Sequence, residues 1–282
     1  MAASALVTYS RMIKLSHSIF ALPFALAAGV LAARGVPVPW WKWVLVVLCM
    51  VTARSSAMGF NRIVDRSVDA ENPRTRGREL PTGQISVGAA WAFTVGSAAL
   101  FVLFAGLLGR TVLFLSPVAL IVVWGYSLTK RFTALCHLFL GLALALAPTA
   151  VWIAFTGTWG WVPALMSLAV GTWVAGFDVI YSLQDVDFDQ GHGVHSIPAV
   201  LGVRGALVVS GLLHVGTLAA LAGLPAVIHL GPAYWVGLVV IAAVLAYEHA
   251  IVKPSDLSRI DKAFFDLNGY VSLAFLAFVW LG

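Results

Sequence analysis

The chain alternates long apolar runs with short polar links from one end to the other. Crossing a bilayer in helix takes about 20 predominantly apolar residues. Runs of that size lie near 16–34, 41–60, 88–108, 111–128, 134–156, 161–183, 204–227, 233–250 and 263–281. Lipid offers open backbone groups no partner, so each crossing run must be helical. The pattern predicts an all-α, multi-pass membrane bundle of about nine transmembrane helices, with residues 1–282 forming a single domain. The first run follows Arg11 and Lys14 and superficially has the layout of a signal peptide. Its length, and the many runs after it, read it as a retained first span.

Composition strengthens that picture. The chain is 61% hydrophobic and only 10% charged, so it has too few polar side chains to clothe a water-facing surface. Its 11 tryptophans suit an aromatic belt at the two membrane interfaces. Cys49 and Cys136 lie in or beside apolar stretches and read as small hydrophobes rather than a disulfide pair or metal knuckle. The net charge of +5 is scattered over short links and makes no case for nucleic acid.

The distribution of charge across the spans is more informative. Only Arg34, Lys42 and Arg110 fall on one side; every other Lys and Arg falls on the opposite side, together with all 12 acidic residues. The positive-inside rule makes the populated side cytoplasmic. An odd number of spans then places the C-terminus outside. The expected location is a bacterial inner membrane, with the chemistry opening to the cytoplasm.

Two polar links, 61–87 and 185–203, are longer than a tight turn and carry the candidate chemistry. The first opens with Asn61-x₃-Asp65-x₃-Asp69. On a continuous helix these three fan across roughly 80° of one face, and Arg54 falls within that fan. The second ends the sixth span with Asp178-x₂-Tyr181-x₃-Asp185-x₃-Asp189. If helix continues, Asp178, Asp185 and Asp189 lie within roughly 40°, Tyr181 beside them and Asp187 opposite, so Asp187 is not counted as a ligand. Asp178 follows apolar sequence. A carboxylate at membrane depth is costly unless paired, and is a functional candidate by default. Asp65 to Asp185 and Asp69 to Asp189 are each 120 residues apart, four spans intervening, which suggests two matching halves.

Oxygen-rich acidic stripes suit hard cations, above all Mg²⁺. The expected arrangement is a cavity walled by helices, with the stripes at its cytoplasmic mouth and magnesium between them holding a diphosphate. Lys130 and Arg131, after the fourth span, would take remaining negative charge. Departure of the diphosphate would leave a cation-like allylic carbon for an electron-rich aromatic ring to attack. A carboxylate or water would then take the ring proton. A single D-x-x-x-D near a membrane is more often a solvated loop; two on one side of a charge-poor chain favour function. His17, His192 and His195 read as hydrogen-bonding or substrate contacts rather than metal ligands. Phe20, Phe24 and Tyr126 read equally well as the lining of a prenyl channel or as ordinary packing.

These runs resemble the UbiA superfamily of intramembrane aromatic prenyltransferases along nearly the whole chain. The resemblance is carried by Asn61-x₃-Asp65-x₃-Asp69 with Asn72-Pro73-Arg74-Thr75 and Leu80-Pro81-x-Gly83, and by Asp178-x₂-Tyr181-x₂-Gln184-Asp185-x₃-Asp189 with His195-Ser196-Ile197-Pro198. It implies helices around a central cavity, Mg²⁺, a polyprenyl diphosphate donor and an aromatic acid acceptor. It also implies that Asn61, Asp65, Asp69, Asp185 and Asp189 bind the magnesium diphosphate, that Lys130 and Arg74 contact phosphate, and that Arg54 lies near the acceptor or the diphosphate. Lys14–Phe24, Tyr126–Arg131 and Tyr247-Glu248-His249 are similar to 4-hydroxybenzoate polyprenyltransferase-like enzymes. The wording around Gly59–Arg62 and Asp178–Asp185 looks closest to the branch serving menaquinone synthesis through futalosine, whose acceptor would be 1,4-dihydroxy-6-naphthoate. Glu79 stands where ubiquinone-type enzymes usually carry proline, which weakens a strict ubiquinone assignment. A transporter or divalent-cation channel using the same carboxylates is the competing class. It is disfavoured because the acids gather at one face and mark no route across. A phosphatidyl-type transferase is disfavoured because its acidic spacing is absent.

Overall fold

A computed structural model describes the backbone of residues 2–14 and 20–282, with side chains from residue 7 onward. The described residues are helical apart from their links. Among the described residues, eight helical segments are long and apolar enough to cross a membrane: Trp40–Val64 (α3), Val87–Leu108 (α5), Arg110–Thr129 (α6), Cys136–Thr156 (α7), Trp161–His192, Ile197–Ala226, Pro232–Ile251 (α11) and Ile260–Leu281 (α12). The fifth of these comprises Trp161–Ser182 (α8), a 3₁₀ turn at Leu183–Asp185, and Val186–His192 (α9). The sixth is Ile197–Gly223 (α10) followed by a 3₁₀ turn. Three shorter helices complete the set: Ala2–Met12 (α1), Ala21–Ala33 (α2) and Arg66–Glu71 (α4). The apolar runs are therefore helices, as their length requires. The first run is described only as α2, 13 residues long, because 15–19 lie outside the described residues. Helix α1, ahead of the first run, was not anticipated.

The contacts gather into two compact units, one of Met1–Ser18 with Trp40–Leu128 and one of Ile19–Pro39 with Thr129–Gly282. In the first, α3 and α5 pack along their length. Gly59 lets them approach: a Cβ there would run into the hydroxyl of Thr94. Helix α6 joins through Trp124, which stacks on Phe60 with ring centroids 5.1 Å apart and donates its indole N–H to Ser56 Oγ at 3.0 Å. A small apolar cluster of Met12, Ile13, Leu80, Ile85 and Ala90 ties α1 and the long polar link to this unit. Arg62, buried in α3, donates from Nε to Met12 O at 3.1 Å.

In the second unit α8 is the hub. Gly141 of α7 rests on the Gly171 backbone, with no room for a Cβ. Small residues allow such close backbone approach where lipid supplies no hydrophobic drive between helices. On the other flank, Ser210 of α10 donates to Gly176 O at 2.8 Å. The core is aromatic. Phe24 stacks on Phe275 at 4.6 Å and leans on Trp173 at 4.9 Å, and Phe20 meets Phe177 and Phe264. Phe20 and Phe24 are thus packing residues here, in keeping with the plainer of their two readings. Outward faces remain apolar, as with Phe114, Val118 and Ile121 on α6, and exposed tryptophans stand at helix ends at 40, 41, 159, 161 and 280. Lipid is the natural solvent for both features.

Both acidic stripes depart from the continuous helix expected of them. Helix α3 stops at Val64, Asp65 takes φ −90° and ψ 1°, and α4 starts at Arg66. Helix α8 stops at Ser182, a 3₁₀ turn follows, and Asp185 takes φ −109° and ψ 5° before α9. These backbones lie near the sparsely allowed bridge region, which active-site residues favour. Angles counted along one straight axis therefore do not carry past Asp65 or Asp185. The helix is interrupted at the same place in the two halves, 120 residues apart.

Candidate active site

In the first unit, Asn61 on the last turns of α3 donates from Nδ2 to Asp65 Oδ2 at 2.9 Å and to Ser127 Oγ of α6 at 3.4 Å. Asp65, at the break, is buried. One turn later, Asp69 Oδ1 accepts from Arg78 Nη1 at 2.6 Å. Its Oδ2 is buried and has no hydrogen-bond partner among the described residues. The link that brings Arg78 back to Asp69 is shaped locally. The Thr75 hydroxyl donates to Asp69 O at 3.1 Å, and Asn72 Oδ1 accepts the Arg74 N–H at 2.8 Å. The guanidinium on Asp69 is thus that of Arg78, whereas Arg74 is exposed. Arg54, two turns before Asn61, donates from Nη2 to Lys14 O at 3.4 Å, and its buried Nε has no partner among the described residues.

In the second unit, Asp178 on α8 lies 2.7 Å from Nδ1 of His137 on α7. The opposite ring nitrogen, Nε2, accepts the N–H of Ile197 at 3.3 Å. Asp189 on α9 is buried, and its Oδ2 accepts from Ser196 Oγ at 2.8 Å. Asp185, Lys130 and His137 lie near it. The link before α7 is pinned to the loop after α9, since the His195 N–H donates to Lys130 O at 2.8 Å. Arg131 and Asp187 are exposed. Tyr181 stacks on Phe264 at 4.1 Å, so its ring is held by packing. Gln184 Nε2 donates to Asp261 Oδ1 at 3.1 Å. His192 stacks on Phe188, and His17 lies outside the described residues.

The donor set is suited to magnesium. It is made of carboxylate and amide oxygens, and the buried Asp69 Oδ2 is an acceptor that lacks a donor among the described residues. Among the described residues no three His, Cys, Asp or Glu side chains gather into a group that could hold a metal by themselves. Magnesium seldom needs such a cage; it keeps waters and takes one or two carboxylates together with substrate phosphates.

Four residues that matter to this geometry have no role assigned from sequence: Arg62 and Ser196, which lie in quoted motifs, and Arg78 and His137. Ser196 carried a usable signal. It is a serine directly before Ile197-Pro198, and it caps α10 by accepting the Ala199 N–H at 3.3 Å. Arg78 was one arginine among several in its link. A lone histidine at the start of an apolar run, as at 137, has no distinguishing neighbours in sequence.

An all-helical integral membrane protein, with a broken helix bearing paired aspartates in each half, is the class that fold and site define. The sequence pattern of the UbiA prenyltransferase family matches residues 21–279, and the chain belongs to that family. It is 31% identical over 245 residues to the 4-hydroxybenzoate octaprenyltransferase of Vibrio campbellii, covering 86% of this chain and 85% of that one. Among solved structures, the apo UbiA homolog from Aeropyrum pernix K1 superposes with a TM-score of 0.84 at 35% identity, over 94% of this chain and 97% of that one. A UbiA homolog from Archaeoglobus fulgidus, solved bound to GPP and Mg²⁺, shares the fold with a TM-score of 0.75 at 22% identity, over 97% and 98%.

Proposed function

We propose that this prenyltransferase moves a polyprenyl chain from a polyprenyl diphosphate to a ring carbon of an aromatic carboxylic acid in quinone biosynthesis. We read residues 1–282 as one prenyltransferase domain; the family match runs through both compact units. One observation carries the reading: each half breaks its helix at an aspartate, Asp65 or Asp185, and buries a second aspartate one turn on, Asp69 or Asp189. Two such devices suit a ligand that carries two phosphates.

Asn61, Asp65, Asp69, Asp185 and Asp189 would hold magnesium diphosphate, as they fit the oxygen-only donor set argued above. Bound magnesium neutralises diphosphate charge and makes it a better leaving group. Lys130, Arg131 and Arg74 would add positive charge toward the phosphates. Arg54 has a buried guanidinium nitrogen to offer a carboxylate, which suits an aromatic acid. Tyr181, fixed against Phe264, would contact the prenyl or ring face. In the transfer, the allylic C–O bond breaks and the diphosphate leaves with the electron pair. A ring carbon bonds to the allylic carbon, and the ring C–H electrons then restore aromaticity. Asp178 takes the released proton. The basic links mark the cytoplasmic side, so the site would open there, with the C-terminus outside.

The relatives support 4-hydroxybenzoate as the acceptor. The wording around Asp178–Asp185 favours 1,4-dihydroxy-6-naphthoate. Purified protein with Mg²⁺ and a polyprenyl diphosphate, offered each acid separately, should form a prenylated product from one of them by mass spectrometry. EDTA should abolish it, and so should Asp185→Ala. Full activity of the Asp185→Ala variant would overturn the site. No product from either acid, together with metal flux in proteoliposomes, would favour the channel.

A further inference from the structure

Asp178 is paired with a residue whose surroundings go beyond packing. His137 sits one residue into α7 and is only 3% exposed. Its Nδ1 lies 2.7 Å from Asp178 Oδ2, and its Nε2 accepts the Ile197 N–H at 3.3 Å. A ring nitrogen that accepts an N–H carries no proton of its own, so in the neutral ring the proton belongs on Nδ1. This hydrogen-bond network thus assigns the tautomer in which Nδ1–H donates to the carboxylate. The backbone contact is also well placed. Ile197 is the first residue of α10, and its N–H is one of the donors that a helix start leaves without an intrahelical partner.

The neighbouring residue extends the connection. Ser196 caps α10 and donates its hydroxyl to Asp189 Oδ2 at 2.8 Å. Two aspartates on α8 and α9 are therefore held from adjacent residues at the start of α10, one through His137 and one through Ser196. Helix α7 contributes the imidazole, and its first residue, Cys136, donates from Sγ to His195 O at 3.4 Å, next to Ser196. Asp178 keeps a side chain 24% exposed, with one oxygen held by His137.

We propose that His137 is a positioning residue of the transfer reaction. Its Nδ1–H holds one oxygen of Asp178 against the start of α10, and so presents the other oxygen to receive the ring proton. This rests on the reading of Asp178 given above. His137 touches no reacting atom and exchanges no proton in the step. The ring C–H bond breaks, its electrons return to the ring, and the proton ends on Asp178. A carboxylate displaced by about 1 Å loses on the order of 10²-fold in rate.

The test is steady-state kinetics on the full-length protein in detergent, with Mg²⁺, a polyprenyl diphosphate and the aromatic acid that gives product. His137→Ala should lower kcat about 10²-fold. The KM for the diphosphate and the magnesium requirement should stay unchanged, a split that a general loss of packing would not produce. Asparagine places an amide nitrogen where Nδ1 stood, whereas glutamine places it nearer Nε2. His137→Asn should therefore recover most of the rate and His137→Gln should not. In an Asp178→Asn background, His137→Ala should cost nothing further. If His137→Ala does not fold, the asparagine and glutamine variants decide the matter, and equal activity in those two overturns the proposal. Unchanged kcat in His137→Ala, or losses that multiply with Asp178→Asn, overturns it as well. A wild-type protein inactive on every acceptor overturns the functional reading and this proposal with it. An active wild type with an indifferent His137 overturns this proposal alone.

Discussion

Arg54 shows what a single residue contributes here and how that can be measured. A guanidinium inside a membrane helix is expensive, and the Arg54 Nε, buried without a partner among the described residues, has a donor to spare for an anion. A charge-assisted hydrogen bond contributes about 1.5–3 kcal/mol, so Arg54→Ala should raise the KM for the aromatic acid roughly 10- to 100-fold. The same variant should leave the KM for the prenyl diphosphate much less affected. Equal losses on both substrates would move Arg54 to the diphosphate. Of the site residues, those in the spaced acidic motifs could be read from sequence, because the chemistry of a carboxylate is written in its type and its spacing. Arg78 and His137 could not. What singles them out is a partner, Asp69 at 2.6 Å and Asp178 at 2.7 Å, and partnership is a property of the folded chain.

At the scale of elements, the contact of α7 with α8 depends on the absence of a side chain at Gly141. A Cβ there would meet the Gly171 carbonyl, which is backbone and cannot swing away. Gly141→Ala should force the two helices apart and cost about 1–3 kcal/mol, seen as a lower midpoint of thermal unfolding in detergent. Gly88, with nothing near its Cβ position, is the control. An equal midpoint in both variants would count against the close-packed crossing. The helices themselves were legible, since a run of about 20 apolar residues has little other choice in lipid. Their interruptions at Asp65 and Asp185 were not. A helical period of 3.6 fits both acidic stripes, and nothing in residue type marks where the backbone leaves it.

For the molecule as a whole, the asymmetry of Lys and Arg makes a topological claim that can be checked without any enzyme assay. Single cysteines introduced at Gly77 and at Ser255, in a chain lacking Cys49 and Cys136, should react with a membrane-impermeant thiol reagent only from the cytoplasmic side. A cysteine at Gly160 should react only from the other side. Labelling of Gly77 and Gly160 from the same face would overturn the assignment and the span count with it.

The sequence by itself determined the solvent and the helical class, and it marked the two acidic motifs as the candidate chemistry. Each of these follows from local composition and spacing, which lipid and hard cations read directly. It also carried the family, since the motifs lie in order along nearly the whole chain. Tertiary structure decided where the two motif helices break and which cations lie against which carboxylates. It decided that Phe20 and Phe24 pack into an aromatic core, and that a histidine far from either motif holds Asp178. Those outcomes depend on which helices lie side by side, and contact between residues 41 positions apart, such as His137 and Asp178, leaves no local trace in the chain.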